Sequence, residues 1–112
     1  MEGAYEIATG ALRPLSEQQL LDCVGSPQSP DDCSGGVTSD ALKYIHRNGG
    51  IDSEVDYSYI TKQGTCWATG AQRYVAKADG VLIEIASDDE AQLLQQVAAG
   101  PVAVAVAVGP GE

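Results

Sequence analysis

A cysteine and, two residues on, a pair of glycines, Cys33-Ser34-Gly35-Gly36, restrict what this chain can become more than any other feature. Adjacent glycines permit a tight turn that a backbone or a ligand can approach closely, and the cysteine makes that turn capable of a disulfide. Directly after it, Val37, Ala41, Tyr44 and Ile45 recur at the spacing of one helical face. Gly49-Gly50 then supplies the left-handed stop expected at a helix C-terminus. The run Asp56-Tyr57-Ser58-Tyr59 alternates and carries two aromatic rings with polar tips.

The flanks extend this pattern. Residues 1–10 read as the last turns of a helix with Gly10 as its cap, and Ser16 opens the next helix with Gln19 three residues on, a capping-box pattern ahead of Leu20 and Leu21. Residues 24–32 hold two prolines and turn formers and read as a loop. Residues 60–80 lack periodicity except for a short strand expected at Tyr74-Val75-Ala76, and Trp67 is expected to pack over Cys66. Val81 to Ala86 reads as a strand. Ser87 is expected to cap a helix from Asp88 to about Ala99, with Leu94, Val97 and Ala98 along one face and Gly100 as its stop. Val102 to Val108 alternates Val and Ala without a charge and reads as a strand buried on both faces, which without partners is an edge that other chains can join.

Several of these motifs, in one order, resemble the papain-like cysteine peptidases of the papain and cathepsin L type. The matching residues are Glu2-Gly3, Thr9-Gly10, Leu15-Ser16-Glu17-Gln18, Leu20 to Cys23, Cys33-x-Gly35-Gly36, Asn48-Gly49-Gly50-Ile51, Asp56-Tyr57-x-Tyr59, Gly64-Thr65-Cys66, Asp79-Gly80 and Gly100-Pro101-Val102. The resemblance covers nearly the whole chain. It implies an α+β class: a truncated papain-like fold, with a partial helical first lobe over residues 1–80 and the start of a β-barrel-like second lobe over 81–112. It also implies that the nucleophilic cysteine and the oxyanion-hole glutamine correspond to positions before Met1, and the catalytic histidine and asparagine to positions beyond Glu112. By the same resemblance Cys23 pairs with Cys66 and Cys33 is left without its partner. Closing a loop of about 40 residues would add roughly 3–4 kcal/mol. The residues alone leave a second reading open, in which all three cysteines are reduced and buried.

The resemblance further implies a peptide-binding role. Gly36, with Gly35 beside it, matches the glycine that pairs its backbone with the substrate. Val37 and Thr38 match positions lining the pocket for the side chain two residues before the scissile bond, and Ala105 stands where the opposite wall begins. Such a lining suits aliphatic or aromatic side chains, held weakly by half a groove. The other reading is that Gly35-Gly36 only makes the turn. No catalytic residue is assigned within the chain. None of the three cysteines matches the nucleophile, and the single histidine, His46, is expected to be solvated near a helix C-terminus. Hydrolysis by this chain alone is therefore not expected. The alternative function is a non-catalytic interaction protein that self-associates or binds a peptidase through the Val/Ala strand or Cys33.

Charge and spacing narrow the partners. Sixteen acids against six bases give a net charge of −10, which disfavours nucleic acid and anionic membranes. No signal peptide or membrane span is read, the apolar run from Pro101 being far shorter than the roughly 20 residues a span needs. Secretion, or a vacuolar or lysosomal site, is implied by the resemblance alone. Cys23, Cys33, His46 and Cys66 contain no closely spaced cysteine pair, so neither zinc nor another cofactor is expected. Asp31-Asp32 and Asp88-Asp89 read as loop and helix-terminus charges. Peptide or protein substrates, and self-association, are the partners expected.

Overall fold

The computed structural model of the chain describes residues 1–25, 33, 35–66, 74–78 and 82–111. Most of the expected 24–32 loop, Trp67, Asp79-Gly80 and Val81 lie outside them. The elements are α1 (Glu2–Thr9), α2 (Glu17–Cys23), α3 (Thr38–Asn48), β1 (Ile51–Asp52), β2 (Tyr74–Ala76) and α4 (Glu90–Ala99). β1 and β2 pair antiparallel, Ile51 opposite Ala76 and Asp52 opposite Tyr74, with an irregularity between them. Leu15 forms a further antiparallel bridge with Ser53. No helix among the described residues is long and apolar enough to cross a membrane. The mix of helices with a small sheet is that of an α+β chain.

The core sits where α2, α3 and the small sheet meet. Leu15, Tyr44, Ile45, Ile51 and Ala76 are buried together, and Met1, Tyr5, Leu20 and Val24 pack around them. α1 stops at Gly10, whose φ of 80° is the left-handed conformation glycine adopts without cost. The Glu2 carboxylate accepts the Leu15 N–H at 2.9 Å, which ties α1 to the segment entering α2. A methyl group placed on Gly3 would come within 3.3 Å of the Pro101 ring, so α1 also lies against the distant Pro101.

α3 follows the period read from its sequence, with one exception. Tyr44 and Ile45 are buried, and Gly49 ends the helix at φ 82° while Gly50 N–H reaches back to the Ile45 carbonyl at 3.0 Å. Val37 leaves the face. It is the N-cap in extended conformation (φ −116°, ψ 128°), so its side chain no longer follows the helical rotation and is 59% exposed. His46 is exposed as expected, but its Nδ1 hydrogen-bonds the Ala78 carbonyl, joining α3 to the chain after β2 instead of serving its own helix end.

α2 departs from expectation in what it buries. Ser16 caps it, its hydroxyl accepting the Gln19 N–H at 2.9 Å. The reciprocal half of the capping box does not form. Ser16 N–H donates to the Asp52 carbonyl at 3.0 Å, while the Gln19 side chain accepts from Asp52 N–H at 2.8 Å and donates to the Tyr44 hydroxyl at 3.1 Å. Buried backbone groups need partners, and Gln19, which is wholly buried, supplies them.

The C-terminal third differs more. α4 begins at Glu90, with Asp89 rather than Ser87 as N-cap: the Asp89 carboxylate accepts the Gln92 N–H at 3.0 Å. Asp88 sits at φ 61°, a left-handed conformation that cannot start a right-handed helix. The Leu94–Val97 face of α4 is exposed. Neither 82–86 nor 102–108 forms a strand. A strand exists through hydrogen bonds to a neighbour, and among the described residues no backbone hydrogen bonds pair either run with a second strand.

Candidate substrate-facing turn

The turn before α3 is presented to solvent. Gly35 takes φ +134°, a region that favours glycine, and Gly35, Gly36, Val37 and Thr38 are all exposed. A methyl group added to Gly35 or Gly36 would meet no atom within 4 Å. Space for a β-carbon therefore exists over both residues. Cys33 is a free, exposed thiol at the head of the turn.

Beside the turn runs an open groove of about 1180 Å³ between α3 and the segments 82–85 and 101–103. Thr38, Ser39 and Leu42 form part of one side, and Ile83, Ile85 and Val102 part of the other. Lys43 and Arg47 line it together with Asp40 and Glu84, so charges of both signs stand beside its apolar side chains. Of the five residues given a peptide-binding role from the sequence, only Thr38 lines this groove, and His46, given no catalytic role, lines it as well. Gly35, Gly36 and Val37 lie on the turn ahead of it, and Ala105 is exposed two residues past Ala103 at the groove's end.

A polar network ties α2 to the 57–64 segment. Gln18 donates to Asp22 and to the Lys62 carbonyl, each at 2.7 Å, and accepts the Ile60 N–H at 3.0 Å. Asp22 accepts the Gly64 N–H at 2.7 Å and the Tyr57 hydroxyl at 2.8 Å. Ser16 donates its hydroxyl to the Tyr57 carbonyl at 2.6 Å. A disulfide joins Cys23 to Cys66 across the same region, with Cα atoms 4.9 Å apart, and Cys33 takes no part in it. The all-reduced reading of the cysteines is thereby set aside.

Sequence reasoning overlooked Gln18, Gln19 and Asp22, which are more buried than Leu20 and Leu21 of the same helix. Their signal was spacing. Three hydrogen-bonding side chains at i, i+1 and i+4 share one face, and that face meets the chain at 52–64.

The profile of the papain family cysteine proteases matches residues 1–111. This chain belongs to that family. It is 40% identical over 112 residues to Cysteine protease 1 of Oryza sativa subsp. japonica, covering all of this chain and 22% of that protein. It is 36% identical over 106 residues to Procathepsin L of Rattus norvegicus, covering 95% of this chain and 31% of that one. The crystal structure of the cysteine protease Amb a 11, a major ragweed pollen allergen, in its proform shares its fold with a TM-score of 0.60 and 38% identity. That match covers 70% of this chain and 23% of the allergen. The chain thus spans between about a fifth and a third of the length of the papain-family relatives it matches.

Proposed function

We propose that this papain-family chain forms a substrate-facing part of an endopeptidase and does not cut peptide bonds with its own side chains. In this reading residues 1–80 are a partial first lobe and residues 81–112 begin the second. The backbone of Gly35 and Gly36 pairs with a peptide, Val37 and Thr38 line one side of an apolar pocket, and Ala105 begins the other. The observation that carries it is the exposed double-glycine turn in a chain whose family acts on peptide bonds. The cysteines support the non-catalytic part. Nucleophilic catalysis by a thiol needs a base within hydrogen-bond reach. Cys23 and Cys66 are consumed in a disulfide, and no hydrogen bond among the described residues joins Cys33 to His46.

Purified chain incubated with a fluorogenic peptide bearing a bulky apolar residue second from the cleavage site should show no hydrolysis above the uncatalysed rate. Hydrolysis that disappears in Cys33→Ser would overturn the proposal. The binding half has a separate test in Gly36→Ala. Because nothing lies within 4 Å of the added methyl group, the variant should fold with a stability change within about 0.5 kcal/mol. The same methyl group would stand between the backbone and an approaching peptide. A titration of the isotopically labelled chain with the uncleaved peptide, followed by amide shifts of residues 35–38, should therefore weaken severalfold in the variant. Equal binding by the two proteins would leave the glycines with no role beyond the turn.

A further inference from the structure

Asn48 is the only asparagine of the chain, and Gly49 follows it. A backbone amide nitrogen that loses its proton can attack the side-chain carbonyl of the asparagine before it. A glycine, having no β-carbon, leaves that approach open. In the folded chain both reacting groups are engaged. Asn48 is the last residue of α3, and its Nδ2 donates to the Gly50 carbonyl at 3.1 Å. The Gly49 N–H is shared between the Ile45 and His46 carbonyls, and the Gly50 N–H closes the turn on Ile45 at 3.0 Å. Gly49 itself is exposed, so hydroxide reaches its nitrogen once those bonds let go.

We propose that Asn48 is a deamidation site that the C-terminal cap of α3 holds closed. In the step, the deprotonated Gly49 nitrogen bonds to Cγ of Asn48, the Cγ–Nδ2 bond breaks, and Nδ2 leaves as ammonia with a proton from water. The product is a five-membered succinimide, which water opens to aspartate or isoaspartate. Nothing is oxidised or reduced. The ring needs Cβ and the Gly49 nitrogen nearly eclipsed about the Cα–C bond of Asn48, and helical backbone keeps them staggered. The last turn must therefore unwind before the ring closes. Opening one helix end costs far less than unfolding the whole chain, so the cap, and not global stability, sets the rate.

The product damages the element that guarded it. Either acid puts a negative charge at the C-terminal end of α3, where the helix dipole disfavours it. It also sets a carboxylate against the Gly50 carbonyl, to which the Asn48 amide now donates. Isoaspartate further adds a methylene to the main chain just ahead of Ile51, which is 2% exposed and pairs with Ala76. Residues 48–50 carry no part of the peptide-binding reading, so either proposal can fail alone.

The test incubates the full chain at mildly alkaline pH and follows Asn48 by peptide mapping. Conversion should be at least about tenfold slower in the folded protein than in the same protein unfolded in guanidinium chloride. Equal rates, or no conversion in the unfolded chain, would overturn the proposal. Gly50 sits at φ 148°, a region that favours glycine, so Gly50→Ala should loosen the cap. Its folded form should convert severalfold faster than the folded parent, while the two unfolded chains convert alike. A folded variant with no acceleration would also refute the gate. Reducing the Cys23–Cys66 disulfide weakens the whole fold and leaves the cap bonds in place, so conversion should not change in protein that stays folded. A rise there in step with the lost stability would mean that global unfolding exposes Asn48. In Asn48→Asp the Gly50 amide should exchange with solvent severalfold faster than in the parent, and unchanged exchange would refute the damage to the cap.

Discussion

Tyr57→Ala is expected to cost about 4 kcal/mol of folding stability, and Tyr57→Phe about 1–2 kcal/mol. Tyr57 is 1% exposed, and its hydroxyl donates to Asp22 at 2.8 Å. Removing the ring opens a cavity where the Cys23–Cys66 disulfide, α2 and the 57–64 segment meet. It also takes one donor from a carboxylate that is itself buried. Phenylalanine keeps the volume and loses only the donor, so the difference between the two variants isolates the packing part. Domains of this size are stable by only about 5–15 kcal/mol, so the alanine variant should lose a large share of that stability and unfold at a clearly lower urea concentration. Urea titrations followed by circular dichroism give both values. An alanine variant with an unchanged midpoint would show that the 57–64 segment is not part of the cooperative core.

Reduction of the disulfide is the second large effect. Cys23 and Cys66 are separated by 43 positions, and a bond closing a loop of that length stabilises by roughly 3–4 kcal/mol through the unfolded chain. Cys66 is exposed, so a soluble reductant can reach it. The folded molecule should nevertheless change little in shape. Gln18 and Asp22 hold Ile60, Lys62 and Gly64 through hydrogen bonds that do not involve sulfur. Cys66→Ser should therefore lower the unfolding midpoint by that amount while the Ile60 and Gly64 amides stay protected from hydrogen exchange wherever the protein remains folded. Loss of protection at those two amides, in a variant still folded elsewhere, would mean that the disulfide alone positions the segment.

The two predictions bear on one division of labour. Helix positions, their glycine stops and the Ser16 cap follow from local rules, and each was legible in order along the chain. The family motifs pointed further, to the disulfide between Cys23 and Cys66. What the local rules missed lies where distant segments meet. The capping-box partner of Ser16 was drawn away to Asp52, Val37 turned out of its helical face to become a cap, and His46 found a carbonyl 32 positions away.

The strands show the same boundary from the other side. Alternating Val and Ala states that residues 102–108 can form a strand. It does not supply the neighbour whose N–H and C=O groups complete a ladder, and among the described residues no backbone hydrogen bonds pair this run with a second strand. The sequence by itself determined the helices, their glycine stops, the Ser16 cap and the family, because these depend on residues close together or on motifs in a set order. Only the tertiary structure decided that Gln18, Gln19 and Asp22 would be buried and two apolar runs left without a ladder. Burial and pairing belong to contacts between segments, where a polar side chain can be worth more inside than a leucine if it alone can satisfy a buried backbone.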